Sequence, residues 1–354
     1  MQAPPASVRV DASRLTAAAA DIFAALGVAA VDAQIVAADL VAADLEGVAS
    51  HGVMLIPMYV DRMLEGSVSA RSRGDVVSDR GAAIVIDAGN ALGQLTARQA
   101  AGLAAGRAQE MGAAAVAVRN AFHFGTAGRY ARLMAEQRCV GIVMSNTRPL
   151  LPAPGGAEAM TGNNPVAIAL PTAGTHPVEV DMALSATAMG KIRLAASMGE
   201  RIPGGWAVDA QGQPTTDPNA AIKGMLLPAA GPKGFGLAFV IDLLCGGLSG
   251  GAIGAEVHPL YGDPALPYRC SQLFLAIHAG HFPAGDDLPA RVLEQAARVS
   301  GSKHAPGIDR IYAPGELAHA TRLANDGVCT LSRETLDSLI AAAGKAGLHN
   351  IHLS

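Results

Sequence analysis

The sequence predicts an α/β protein with a substantial sheet, and three observations carry that expectation. Short apolar runs of strand length alternate with longer alanine-rich stretches of helical length. Half of the chain is apolar and only 16% is charged, so a large core can be buried. No Gly-x-Gly-x-x-Gly turn follows a strand and opens a helix, so the usual Rossmann context is missing. The length, 354 residues, allows one large domain or two to three medium ones.

Taken in order, residues 13–46 read as two helices broken at Gly27, with Ser13 capping the first and Val31-Asp32 opening the second. The second, roughly 31–46, runs into the turn Ser50-His51-Gly52. A helix over about 54–65 stops at Gly66. The run AAIVID at 82–87 is short enough for a buried strand, and a long helix over about 94–111 follows Gly89 and Gly93. A strand from Ala114 to Val118 leads into the loop Asn120-Ala121-Phe122-His123-Phe124-Gly125. A helix over about 126–137 then precedes a strand from Gly141 to Ser145. Further strand-like runs are Val166 to Leu170, Val178 to Asp181 and Leu273 to His278. The helix Phe235 to Leu248 is apolar on most faces, which predicts a central position. Residues 199–232, with Thr215-Thr216-Asp217-Pro218, read as loop. Alanine blurs the apolar period, so each boundary is loose by several residues.

Composition excludes several functions. A formal charge of −4 leaves no electrostatic footprint for nucleic acid or an anionic membrane. Cys139, Cys245, Cys270 and Cys329 are scattered, with no CxxC pair, and Cys245 reads as a small buried hydrophobe. The N-terminal residues lack a basic segment followed by an apolar one, so no signal peptide is expected. The longest apolar stretch, Gly234 to Gly247, contains Asp242 and is shorter than the ~20 residues a membrane span needs. A reduced cytoplasmic protein is the expectation. His258, His278 and His281 have no metal-ligand spacing and there is no HExxH, so no metal site is expected. Acyl transfer lacks a Gly-x-Ser-x-Gly elbow. The glycines from Gly246 to Gly251 follow a helix and read as a structural turn.

Two histidines stand out. Histidine exchanges a proton near neutral pH, and His51, next to Gly52, and His123, two residues before Gly125, each lie near a glycine that permits close approach to the backbone. Alone, His51 would more often read as a helix C-cap or a satisfied polar group. Lys233, in Gly231-Pro232-Lys233-Gly234, sits where the helix dipole disfavours a cation, so a bound phosphate or carboxylate would give it a reason. Asp181 ends a strand, where a carboxylate can accept from ribose hydroxyls or hold a neighbouring loop.

Ser50-His51-Gly52, the His123 loop, Gly162-Asn163-Asn164-Pro165 and Pro232-Lys233-Gly234-Phe235-Gly236, in this order, resemble the malate/L-lactate dehydrogenase family. That family also holds ureidoglycolate dehydrogenase, sulfolactate dehydrogenase, diketogulonate reductase and piperideine-2-carboxylate reductase, and the resemblance runs from about residue 10 to about 345. It implies a non-Rossmann, L-sulfolactate/malate dehydrogenase-like fold with a mixed sheet flanked by helices. It implies three domains: helical (1–75 with 305–354), central α/β (76–145 with 265–304) and cofactor-binding (146–264). It further implies an NAD- or NADP-dependent oxidoreductase that interconverts a small 2-hydroxy acid and its 2-keto acid, and a homodimer with active sites near the subunit boundary. His51 or His123 would carry the proton, with Ser50 orienting or polarising the reacting oxygen. Cofactor contacts would come from Asn146, from Pro177, Val178, Glu179, Val180, Asp181, Met182 and Ala183, from Pro232 and Lys233, and from Gly315, Glu316 and Leu317.

One position departs from the family pattern. Leu55 stands where a carboxylate-gripping arginine is usual, while Tyr59, one turn later, matches. Arg148 is either a replacement for that cation or an exposed loop residue. A cyclic imine reductase, which takes a substrate already protonated at nitrogen, and a binding protein without turnover therefore stay open as alternatives.

Overall fold

A computed structural model describes residues 7–349. Seven strands form one sheet in the spatial order Asp75–Asp79, Ala83–Asp87, Ala113–Ala121, Cys270–His278, Cys139–Ser145, Val166–Leu170, Val178–Met182. Ala83–Asp87 and Ala113–Ala121 run parallel, and every other neighbouring pair is antiparallel, so the sheet is mixed. The late strand Cys270–His278 lies between Ala113–Ala121 and Cys139–Ser145, antiparallel to both. Those two strands therefore point the same way. Their C-terminal ends open together at one edge, where the loops bearing His123 and Arg148 emerge.

The alternation along these strands divides the interior into two cores. Val116, Val118, Val143, Phe274 and Ala276 face one core, packed by the helices Gly93–Met111 and Gly128–Ala135. Ala117, Met144 and Leu273 face the other, against Ala238, Ile241 and Cys245 of the helix Pro232–Ser249. A period of two on strands that are covered on both faces produces this arrangement. Helices Ala12–Ala25 and Ala30–Leu45 pack on each other, and the strand Ser7–Asp11 pairs with Val328–Ser332, tying the two ends of the chain together.

Several expectations need correction. Asp11, not Ser13, caps the first helix, accepting from the N–H groups of Ser13 and Arg14 at 3.0 Å each. The strand leading to His123 extends to Ala121, which pairs with Cys270, and Asp87 binds both Arg119 and Asn120 beside it, at 3.0 Å for the closest contact to each. Residues 199–232 are not all loop: a small sheet of Ala207–Val208, Pro214–Thr215 and Met225–Leu226 forms there, with the helix Pro218–Lys223 capped by Asp217. The helix Pro232–Ser249 is not central. Leu237, Phe239, Val240, Leu243 and Leu248 on it are 43–57% exposed. At 18 residues it is long and apolar enough to pass for a membrane span by length and composition, and its other face packs on the sheet. The helices Met189–Met198, Leu288–Ser300, Glu316–Asn325 and Arg333–Lys345 add to the expected elements.

Candidate active site

The helix Ala30–Leu45 ends just before two tight turns, Ala49–His51 and Val53–Leu55, which feed the helix Ile56–Leu64. Asp44 builds this corner. Its carboxylate accepts from the Val53 N–H at 2.8 Å. A Cβ on Gly52 would lie 2.3 Å from that carboxyl group, which is why glycine must follow His51. Burial pushes the Asp44 carboxyl up to about 7. Asp44 was missed in the sequence, although an acid in the last turn of a helix, at the wrong end of the dipole, was a usable signal.

The structure brings the two histidines together. Their half-buried rings stack at 5.6 Å between centroids and 26° between planes. Ser50 Oγ lies 3.0 Å from His51 Nδ1. His123 is held differently, with Nδ1 2.8 Å from the Tyr59 hydroxyl and 3.4 Å from the Gly125 N–H. Tyr59 is fully buried and also accepts from Gln94 Nε2 at 3.1 Å. Loss of solvation lowers the pKa of His51. The same loss, helped by repulsion from His51, pushes His123 down to about 3.

Around the pair, Phe122 packs edge-on to Tyr59 and Tyr268. Arg148 lies on the loop at the same sheet edge, exposed, with a 3.3 Å bond to the Pro149 carbonyl, and its charge acts on the Tyr268 hydroxyl. Leu55 is 2% exposed and lies in the main core. Its side chain therefore makes no wall of an open site. Arg62 is 1% exposed and donates to the carbonyls of Pro259, Leu260 and Leu266, fastening the segment that leads to Tyr268. Nothing in its spacing announced that role.

Of the stretches expected to contact a cofactor, two lie side by side. Glu179 N–H donates to Pro314 O at 3.3 Å, so 177–183 and 314–317 are neighbours despite their separation in sequence. Asp181 is exposed as a residue, but its carboxylate turns back to accept from the Gly128 N–H at 2.7 Å. Arg132 bridges Glu179, at 2.7 Å, to Glu46, at 2.9 Å, linking this strand to the helix just before His51. Past Ala183, Leu184 accepts from the Ala229 N–H at 2.9 Å, four residues before Lys233. Pro232 and Lys233 are exposed in the first turn of their helix. Pro177 and Val178 are partly buried, while Val180, Met182, Ala183 and Leu317 are exposed. Gly315 lies over Glu179, and Glu316 accepts from Ser300 at 2.6 Å and from the Ala313 N–H at 2.8 Å.

Asn146 differs from the rest. It is fully buried, donating to Asp242 at 3.0 Å and Ala252 O at 2.8 Å and accepting from the Ser271 N–H at 2.7 Å. Both its donors and its oxygen are engaged inside the protein, so it shapes the loop to Arg148. Asn164, from Gly162-Asn163-Asn164-Pro165, does similar work: it accepts from the Thr147 N–H at 2.9 Å and donates to Ala238 O at 2.8 Å. Of the glycine cluster, Gly246 and Gly247 lie inside the helix, contrary to expectation, and Gly250 ends it as a left-handed cap. Among the described residues no group of His, Cys, Asp or Glu is placed to hold a metal.

Paired imidazoles at the open edge of a mixed sheet suit an oxidoreductase that acts on CH–OH groups with a nicotinamide dinucleotide. The chain belongs to the malate/L-lactate dehydrogenase family, whose profile matches residues 10–339. It is 34% identical over 306 residues to the L-sulfolactate dehydrogenase of Methanocaldococcus jannaschii, covering 86% of this chain and 87% of that one. A solved structure of the sulfolactate dehydrogenase from that organism superposes with a TM-score of 0.90 at 33% identity, covering 96% and 98% of the two chains. The malate dehydrogenase of Pyrococcus horikoshii OT3 gives 0.87 at 31% identity, with 98% of each chain covered. The Δ1-piperideine-2-carboxylate reductase of Pseudomonas syringae pvar. tomato gives 0.84 at 27%, covering 95% and 100%.

Proposed function

We propose that this protein interconverts a small 2-hydroxy acid and its 2-keto acid, with His51 moving the proton. The observation that carries the reading is the stacked histidine pair, whose members sit in unlike hydrogen-bonding surroundings. His123, depressed to about 3, stays neutral in the working range and acts as a hydrogen-bond donor to the substrate oxygen. His51 contacts a serine hydroxyl, which can donate or accept, so the ring can hold a second proton and release it. In the reductive direction His51 gives that proton to the developing alkoxide.

The residues fit a dinucleotide. Lys233 and the amides of its helix start suit a phosphate, and the exposed edge of 178–183 with Gly315 offers a wall for the rest. Bound there, NAD or NADP supplies or accepts the hydride. Arg148, free of any carboxylate partner among the described residues, grips the substrate carboxylate in place of an arginine at position 55.

The test is a panel of 2-keto acids and cyclic imines against NADH and NADPH, run on wild type, His51→Gln and Arg148→Ala. His51→Gln should cut kcat about 100- to 10,000-fold, and wild-type turnover in that variant would overturn the assignment. Loss of the Arg148 contact should lower kcat/KM on keto acids about 10- to 150-fold. The similarity to the piperideine-2-carboxylate reductase supports the imine as the second reading, and preference for imines with no effect of Arg148→Ala would select it. We also assign the exposed apolar side of Pro232–Ser249 to a homodimer interface, which a monomeric mass by light scattering would refute.

A further inference from the structure

We propose that Gln94 is a positioning residue that fixes the tautomer of His123 through Tyr59, an inference that rests on reading His123 as a neutral hydrogen-bond donor. Gln94 is fully buried in the first turn of the helix Gly93–Met111. It reaches the site because residue 93 is glycine: a Cβ there would lie 2.4 Å from the carbonyl oxygens of both Phe122 and His123. The helix start therefore rests directly on the His123 loop.

The Tyr59 hydroxyl has three neighbours in a site closed to solvent: Gln94 Nε2 at 3.1 Å, His123 Nδ1 at 2.8 Å and His123 O at 3.1 Å. An amide nitrogen only donates, so Gln94 occupies a lone pair of the phenol oxygen and turns its single proton toward His123. The nearer acceptor is Nδ1. The Gly125 N–H also faces Nδ1, at 3.4 Å, and an N–H cannot usefully face another N–H. Nδ1 is thus an acceptor and the ring proton sits on Nε2, which has no partner among the described residues. The opposite amide orientation would let Tyr59 donate to Gln94 Oε1 and put the imidazole proton on Nδ1, so the amide chooses between two states of the catalytic ring.

A second observation separates Gln94 from a packing residue. Its Oε1 is buried without a hydrogen-bond partner. A buried, unsatisfied oxygen opposes stability, and an apolar side chain of the same shape would avoid that cost. Methionine would remove that cost but could not make the 3.1 Å bond to the Tyr59 hydroxyl. The glutamine brings Tyr59 a donor.

The experiment is two-bond 1H–15N spectroscopy of histidine-labelled full-length protein near pH 7, with the His123 signals assigned by their loss in His123→Gln. Wild type should show His123 protonated on Nε2. Gln94→Glu, of equal size but an acceptor, should move the proton to Nδ1, and Gln94→Met should give a mixture. Both variants should lower kcat about tenfold or more with little change in KM, and thermal melts check that they are folded. Wild-type protein with the proton on Nδ1 overturns the proposal, as does an Nε2 signal unchanged in both variants. If the tautomer shifts as stated while His123→Gln keeps full kcat, the role given to His123 fails and the Gln94 assignment stands.

Discussion

Asp44→Asn should stabilise the protein more at pH 8 than at pH 5. The Asp44 carboxyl rises from 3.8 to about 7 because the corner above it excludes water, and one bond from the Val53 N–H only partly offsets that. A folded-state pKa above the unfolded one means that the native protein binds this proton more tightly. The resulting stability is complete below about pH 4 and is lost as pH rises through about 7. Integrating proton binding between pH 5 and pH 8 gives a loss of roughly 2–3 kcal/mol in wild type that asparagine avoids. Asparagine keeps an acceptor for Val53, so the turn carrying His51 should survive. Urea unfolding followed by circular dichroism at the two pH values reads the effect. A constant offset between the variants at both pH values would refute the reasoning, because it would leave Asp44 with an ordinary pKa.

Three further outcomes follow from the same geometry. Lys233→Ala should weaken NADH or NADPH binding without changing the fold, and an unchanged fluorescence titration would remove Lys233 from the cofactor site. Arg132→Met should destabilise the protein by about 3–5 kcal/mol, since it leaves the mostly buried Glu179 without a cation and Glu46 with only the half-exposed Arg322 at 3.6 Å; a denaturation midpoint equal to wild type would disprove that network. Leu55→Ala should cost about 2–5 kcal/mol of stability while leaving KM near the wild-type value, and a KM effect without a stability loss would return Leu55 to the substrate.

The strands of the double-faced sheet were legible because their apolar runs are short, dense and bounded by glycine or proline; Val166–Leu170, between Pro165 and Pro171, was read to the residue. His51, His123 and Lys233 were legible because each breaks a local rule, an imidazole near a glycine or a cation at the positive end of a helix. Asp44, Gln94 and Arg62 were not. Each works through a partner brought close by the fold: Asp44 at Val53, Gln94 at Tyr59 and Arg62 at Leu260 and Leu266. Local pattern can mark an odd residue, as an acid in the last turn of a helix marks Asp44, but it cannot register the contact that the residue makes.

By itself the sequence determined the α/β class, the order of most elements and the residue types able to move a proton or attract an anion, since these follow from periodicity and side-chain chemistry. The tertiary structure decided which of them meet. Inserting Cys270–His278 between two earlier strands set their C-terminal ends side by side, and so placed the loops of His123 and Arg148 at one edge. It turned Leu55 inward, committed Asn146 to the interior and left one face of Pro232–Ser249 exposed. An apolar or polar side chain carries its preference in the sequence, but what satisfies that preference is set by long-range packing.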